Sequence, residues 1–315
     1  MSIAQQIALR PLWFLGELGL GKPVAKTALA FMRHRRARVM HRALASYEPR
    51  TQDVFVATYA KSGTNWMLQI VTQLAHNGDA EFEHIHDLCP WPDAPFTQGT
   101  ATLHDTSTSP TGLRAVKTHL PTQHVPLGPK AKYIIVVRDP KDAFVSGYHF
   151  AHSVIRSMLD TGFTPDEWLE KFLDDRPFIF DGWAEFTASW WAVRDEPNVL
   201  WITFDELKQD LPGSVRRVAN HMGIHPSDAA LAKVIERSGF AWMKEHEAQF
   251  SPVFPQFRSE KAVMIREGKS GQSKQFLTTD QGLAIDTFCR NGLLKLHSDL
   301  PYDEMFSPER DGPTG

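Results

Sequence analysis

Cysteine is nearly missing: only Cys89 and Cys289 occur in 315 residues. Two thiols so far apart match no metal-ligand spacing and staple no small fold, and they suit a reducing compartment. Long apolar runs are missing as well, and no stretch has the length of a membrane-spanning helix. The N-terminal stretch Pro11-Leu12-Trp13-Phe14-Leu15 is interrupted by Glu17 and followed by no small-residue cleavage site, so it does not read as a secretory signal. There is no excess of positive charge. The net charge of −3 argues against nucleic-acid partners and requires any anion site to be local. Internal repeats, low-complexity tracts and an acidic cluster that would call for a metal are all absent. The expected setting is cytoplasmic.

What is present suits one large α/β domain, with 42% hydrophobic and 23% charged residues. Residues 1–50 read as an N-terminal helical extension and 51–310 as a single domain. Within the extension, Leu29, Met32, Val39, Met40 and Ala43 share a helical face opposite Arg33, Arg35, Arg36, Arg38 and Arg42. Such a helix over 24–45 either touches an anionic membrane surface peripherally or shows a solvated basic face while packing on the domain; the second reading is preferred.

The chain is organised around Val54 to Val71. Its β-branched and aromatic start reads as a buried strand, and Trp66, Ile70 and Leu74 mark one face of a helix. Between them, Lys61-Ser62-Gly63-Thr64 forms a tight loop. A loop feeding a helix N-terminus presents unpaired backbone N–H groups and the positive end of the helix dipole, which binds phosphate-like anions. Lys61 adds a mobile charge, and Gly63 permits close backbone approach. Lysine precedes glycine here, so the spacing is not the G-x-x-x-x-G-K of kinase-type phosphate loops. By itself the loop is equally an ordinary strand-to-helix turn.

Further elements alternate. Residues 79–112 form a long irregular segment in which His84, His86, Trp91 and Phe96 either meet a ligand or lie loosely at the surface. Strands read at Leu113 to Pro121, Lys132 to Pro140 and Asn198 to Phe204. Helices start near Pro140, at the capping box Thr164 to Glu167, and over about Trp183 to Arg194. Asp205 is expected to cap a helix running toward Met222. This alternation predicts a central, mainly parallel sheet flanked by helices, with ligands at the carboxyl ends of the strands. Lys61, His119 and Arg138 all fall at such ends, which favours the anion-binding reading of the loop.

Three stretches together resemble the soluble sulfotransferases that use 3′-phosphoadenosine 5′-phosphosulfate (PAPS). They are Thr58 to Trp66, Lys117-Thr118-His119-Leu120-Pro121, and Val137 to Ser146; Arg266 to Gly271 matches a late phosphate-binding loop less closely. The resemblance implies a P-loop-like three-layer α/β fold and transfer of a sulfuryl group to a hydroxyl, leaving adenosine 3′,5′-bisphosphate (PAP) and needing no metal. It places Lys61, Ser62, Gly63, Thr64, Asn65 and Trp66 on the 5′-phosphosulfate. Arg138, Ser146, Arg266 and Gly268 fall on the 3′-phosphate, and Trp66, Phe204, Ser238 and Phe240 on the nucleotide. It makes His119 the general base, Lys61 the cation that neutralises the leaving group, and Lys117 the cation on the sulfuryl oxygens.

Several positions depart from the family pattern. Glu267 stands where lysine is usual, with Lys269 nearby, and Gln272-Ser273 replaces Asp-Trp. The dimer motif is only partly kept at Lys274 to Thr279, with Leu283 where an acid is expected, so a homodimer of the family type lacks support. Phe240, Trp242, Phe250, Phe254 and Phe257 suggest an apolar, aromatic or lipid-linked small-molecule acceptor. Two other readings are weighed: a P-loop-type nucleotide kinase, and a nucleotide-binding module without catalysis. The first lacks the glycine-lysine spacing, and the second does not need His119.

Overall fold

Val54 and Val56 point to one side of a strand while Phe55 and Ala57 point to the other, and all four are fully buried. A strand apolar on both sides must be covered on both, which sets a three-layer arrangement. The computed structural model describes residues 18–94, 99–159, 161–174, 182–251, 264–266, 268 and 271–306. Its sheet holds β1 (Asp53–Thr58), β2 (Arg114–Thr118), β3 (Lys132–Val137) and β4 (Val199–Thr203) in the order β2-β1-β3-β4. All pairings are parallel, with Val56 opposite Lys117 and Ile134, and Val136 opposite Ile202. The chain leaves β1 for one neighbour, then crosses back to the other side for β3. The crevice at the carboxyl ends flanking β1 is therefore where ligands gather in such sheets.

The helices are α1 (Gly21–Met40), α2 (Thr64–Ala75), α3 (Pro140–Leu159), α4 (Pro165–Phe172), α5 (Trp183–Trp191), α6 (Phe204–Gln209), α7 (Leu211–Met222), α8 (Asp228–Arg237), α9 (Phe240–Glu245), α10 (Ser273–Phe276), α11 (Thr279–Lys295) and α12 (Tyr302–Phe306). Val54, Val56, Ile134 and Val136 pack on Ile70 and Leu74 of α2, Val218 of α7 and Val234 of α8. On the opposite side, Phe55, Ala57, Ile135 and Val137 pack with Phe144 of α3, Trp190 of α5 and Ile285 of α11. In α1, Ala25, Leu29 and Met40 join that second core, while Lys22 pairs with Glu167 at 3.0 Å and Arg33 with Asp174 at 3.5 Å. The apolar face of this helix is thus packed, with Phe31 left outside at 66% exposure.

Three boundaries differ from the sequence reading. β2 stops at Thr118 because His119 N–H donates to Asp93 at 3.1 Å and Leu120 N–H to the Thr118 hydroxyl at 3.1 Å, leaving no ladder to extend. α5 stops at Trp191, where the bonds tighten to Val193 on Trp190 and Arg194 on Trp191. The cap after β4 is Thr203, not Asp205. The Thr203 hydroxyl accepts from Glu206 N–H at 3.2 Å, and Glu206 accepts back from Thr203 N–H at 2.7 Å. Helix α6 then ends at Gln209 because Pro212 cannot continue it, and Asp210 caps α7 by accepting from Gly213 N–H at 2.8 Å.

Candidate active site

The turn between β1 and α2 puts Lys61 at φ 66° and Gly63 at φ 97°, both in the left-handed region. The lysine conformation costs roughly 1–2 kcal/mol, which the surrounding loop must hold. Gly63 occupies the N-cap of α2, and among the described residues no side chain caps that end. The first-turn N–H groups therefore lack side-chain acceptors of their own and suit an anion. Ser62 is fully buried, and its hydroxyl has no hydrogen-bond partner among the described residues. Thr64 and Thr58 share a bond of 2.6 Å between their hydroxyls, which ties the helix start to the strand end.

Cations converge on this turn from three sides. Arg138, at the end of β3, donates to the Lys61 carbonyl at 3.1 Å, lies over the Phe204 ring at 4.3 Å, and faces Asp142 at 3.8 Å. Lys61 Nζ sits 4.3 Å from the Phe150 ring centroid and 3.3 Å from Met264 Sδ. Burial, and next the charge of Arg138, bring Lys61 down to about 7. Burial also brings Lys117 down to about 7, with Asp93 opposing and Lys61 assisting. Among the described residues neither lysine makes an ion pair, although Glu247 acts on Lys61 and Asp93 on Lys117 through space. An anion entering beside either lysine would favour that lysine's charged form.

Asp142 is the residue that the sequence reading passed over. Its two oxygens accept from Gly271 N–H at 2.6 Å and Ser273 N–H at 3.0 Å, which fastens the late loop to the start of α3 beside Arg138. Its position four residues after Arg138 at a helix start was the available signal. Arg266, in the late loop, donates to Gln272 and adds to the positive field felt by Lys61 and Arg138. Glu267 and Lys269 lie outside the described residues.

His119 follows β2 and is 5% exposed. Its Nδ1 lies 2.7 Å from the Thr58 carbonyl. A carbonyl can only accept, so Nδ1 carries a proton, and in the neutral ring Nε2 is the nitrogen with base character. Trp91 stands edge-on to this ring at 5.5 Å. Of the residues singled out in the irregular segment, His84, His86 and Trp91 all come to this neighbourhood, whereas Phe96 lies outside the described residues.

Aromatic rings line the other flank. Trp66 donates from Nε1 to the Ser238 carbonyl at 2.8 Å and meets Phe204 edge-on at 5.5 Å. Phe204 also closes the underside of Gly63, where an added Cβ would come within 3.0 Å of its ring. Ser238 is fully buried with an unpartnered hydroxyl. Phe240 is 45% exposed and lies against Gly268, which has φ 60° and leaves no room for a Cβ. Asn65 donates to the Phe250 carbonyl at 3.0 Å, so it is engaged in structure. Ser146 stands half-buried farther along α3 and forms no hydrogen bond with these residues among those described. Phe250 is buried in the core against Phe82, and Trp242 stacks on His246 at 3.8 Å. Phe250 is therefore closed off from an acceptor, Trp242 is half-buried, and Phe254 and Phe257 lie outside the described residues. Trp91 and Phe150, beside the two lysines, are the apolar surfaces that the structure places there.

A helix start without a side-chain cap among the described residues, buried cations and a buried imidazole lie together here, an arrangement suited to a phosphorylated ligand and a proton transfer. A family model described as sulfotransferase domain matches residues 51–299. Sulfotransferase 2B1 of Homo sapiens is 33% identical over 271 residues, covering 84% of this chain and 71% of that protein. Sulfotransferase 2A1 of Macaca fascicularis is 31% identical over 253 residues, covering 79% and 87%. Among solved structures, retinol dehydratase with retinol and PAP is similar in fold at a TM-score of 0.63 and 23% identity, covering 81% of this chain and 84% of that one. The same enzyme with androsterone and PAP gives a TM-score of 0.62 at 22% identity, covering 82% and 84%. A mouse sulfotransferase with PAP gives 0.59 at 24%, covering 79% and 87%.

Proposed function

The chain belongs to the sulfotransferase domain family of PAPS-dependent transferases, and from that premise we propose that it sulfates the hydroxyl of an apolar, aromatic or lipid-linked small molecule with His119 as general base. The observation that carries the assignment of the base is the 2.7 Å bond from His119 Nδ1 to the Thr58 carbonyl, which leaves Nε2 to accept a proton. The nucleotide suits the residues present. Among the described residues, Ser62 and Ser238 offer buried hydroxyls without partners, and α2 starts without a side-chain cap. When bound, PAPS supplies a sulfuryl group already activated by a phosphate leaving group.

The chain's own residues then have separate tasks. The turn from Lys61 to Thr64 grips the 5′ end through backbone N–H groups, and Lys61 sets a positive charge where negative charge grows on departure. Arg138, supported by Asp142 and joined by Arg266 and the Gly268 backbone, holds the 3′-phosphate, with Ser146 farther along α3 completing that end. Trp66, Phe204 and Phe240 flank the base, near the Ser238 hydroxyl. Lys117 meets the oxygens of the group in transit. His119 draws the proton from the acceptor oxygen and orients it for in-line attack. The acceptor class follows from Trp91 and Phe150 beside the lysines. Retinol and androsterone, bound by the structurally similar dehydratase, are apolar alcohols of this kind.

The test is His119→Ala. Turnover of labelled PAPS should fall by about 10²–10⁴-fold while PAP still binds, and equal loss of both would reassign the residue. Product identification by mass spectrometry after incubation with an extract checks the acceptor, and an exclusively polar glycan product would remove the apolar class. Magnesium-dependent phosphotransfer from ATP, with none of the sulfuryl group from PAPS, would establish the kinase reading instead.

A further inference from the structure

We propose that His86 is a positioning residue for the reaction, holding the Lys117 ammonium toward the group in transit without neutralising it. The inference rests on the role given to Lys117 above.

The geometry starts from a short turn, Ile85–Asp87, closed by a reciprocal cap between His84 and Asp87. That turn buries His86 to 3% exposure and brings its Nδ1 to 2.9 Å from the Cys89 carbonyl. Nδ1 must therefore carry the proton, which leaves Nε2 as an acceptor. Nε2 lies 3.5 Å from Lys117 Nζ and is the only hydrogen-bond acceptor that this ammonium meets among the described residues. The imidazole is stacked on Trp91, with centroids 5.3 Å apart and planes 30° apart, and the Trp91 face lies 3.4 Å from the same Nζ. An imidazole lone pair and an indole face thus fix the ammonium from two sides. Its remaining donors are left for an incoming oxyanion.

The choice of residue type follows from electrostatics. A carboxylate at this place would pair with the cation and compete with the sulfuryl oxygens for it. A neutral imidazole orients the cation and leaves its charge available. Burial and the adjacent ammonium push His86 down to about 2, so it stays uncharged throughout the working range. The other groups facing the pair are Lys61, His84, Cys89, Asp93 and His119.

The full chain tests this through turnover of ³⁵S-labelled PAPS, with 2-naphthol or water alone as acceptor, and through PAP affinity. His86→Phe keeps the ring stack and removes the acceptor. His86→Asn keeps the bond to Cys89 and is too short to reach Lys117. Both should lower kcat by about tenfold or more, leave PAP affinity unchanged and move the alkaline limb of the rate profile to lower pH. His86→Gln, which restores an acceptor near the Nε2 position, should recover most of the rate. Lys117→Met should cost at least as much, and adding His86→Phe to it should cost nothing further, because His86 acts only through Lys117. Losses that multiply in the double variant overturn the inference, as does a folded His86→Asn with normal kcat beside a crippled Lys117→Met. A harmless Lys117→Met would instead refute the role of Lys117 itself, and this inference with it.

Discussion

Removing the Asp142 carboxylate should separate the late loop from the rest of the site. In Asp142→Ala, the N–H groups of Gly271 and Ser273 lose charge-assisted bonds of 2.6 and 3.0 Å, and Arg138 loses the carboxylate 3.8 Å away. Asp142 is 4% exposed, so solvent does not replace what is removed. Bonds to a charged group contribute about 1.5–3 kcal/mol each, and deleting one partner of a buried pair costs about 3–5 kcal/mol. The two estimates describe the same carboxylate and are not added, so a loss of about 3–5 kcal/mol is expected. At a urea slope of about 2–3 kcal/mol per molar, the midpoint should fall by about 1–2.5 M. PAP affinity should fall by at least about tenfold, because the Gly268 backbone and Arg266 lose their register against Arg138. Asp142→Asn keeps one acceptor oxygen and should show about half the stability loss. Urea unfolding followed by circular dichroism, with calorimetric titration of PAP, measures both effects. An Asp142→Ala variant with the wild-type midpoint and wild-type PAP affinity would refute the claim that this carboxylate fastens the loop.

Two further outcomes follow from the same geometry. Lys61 and Lys117 are brought from 10.5 down to about 7 in the folded chain, so below pH 7 both the folded and unfolded forms are charged and the burial penalty is fully felt. Between about 7 and about 10.5 only the unfolded chain holds these protons, so ligand-free stability should rise across that window. PAP binding at pH 8 should accordingly take up roughly one proton as Lys61 is recharged, read from calorimetry in buffers of different ionisation heat; zero uptake would contradict the burial argument. The two crowded glycines should behave differently. Gly63→Ala combines φ 97° with a Cβ 3.0 Å from the buried Phe204 ring and should lower both stability, by about 1–3 kcal/mol, and PAP affinity. Gly268→Ala presses on the exposed Phe240 ring and should lower PAP affinity with little change in melting temperature, so a large melting shift would count against this reading.

Much of the site was legible because its residues sit next to strand ends. Lys61, His119 and Arg138 follow β1, β2 and β3 directly, and a parallel sheet brings such positions to one edge whatever the intervening loops do. The role of Asp142 was not legible, although its place four residues after Arg138 marked it, because its work is done on Gly271 and Ser273, far along the chain. The pocket aromatics misled for a similar reason. Phe250 reads as exposed to a ligand in a sequence of scattered rings, yet it is buried against Phe82. His86 and Trp91 gained meaning only when the irregular segment folded over Lys117.

The sequence by itself determined the layered α/β architecture and the strand-turn-helix at Lys61, which follow local rules of strand, turn and helix, while the type of reaction was implied by a resemblance carried on several separated stretches. Tertiary structure alone decided which carbonyl His119 Nδ1 faces, which groups lower the two lysines, and which carboxylate holds the late loop. Those properties depend on distances between segments remote in the chain and on the exclusion of water around them, and no local pattern encodes either.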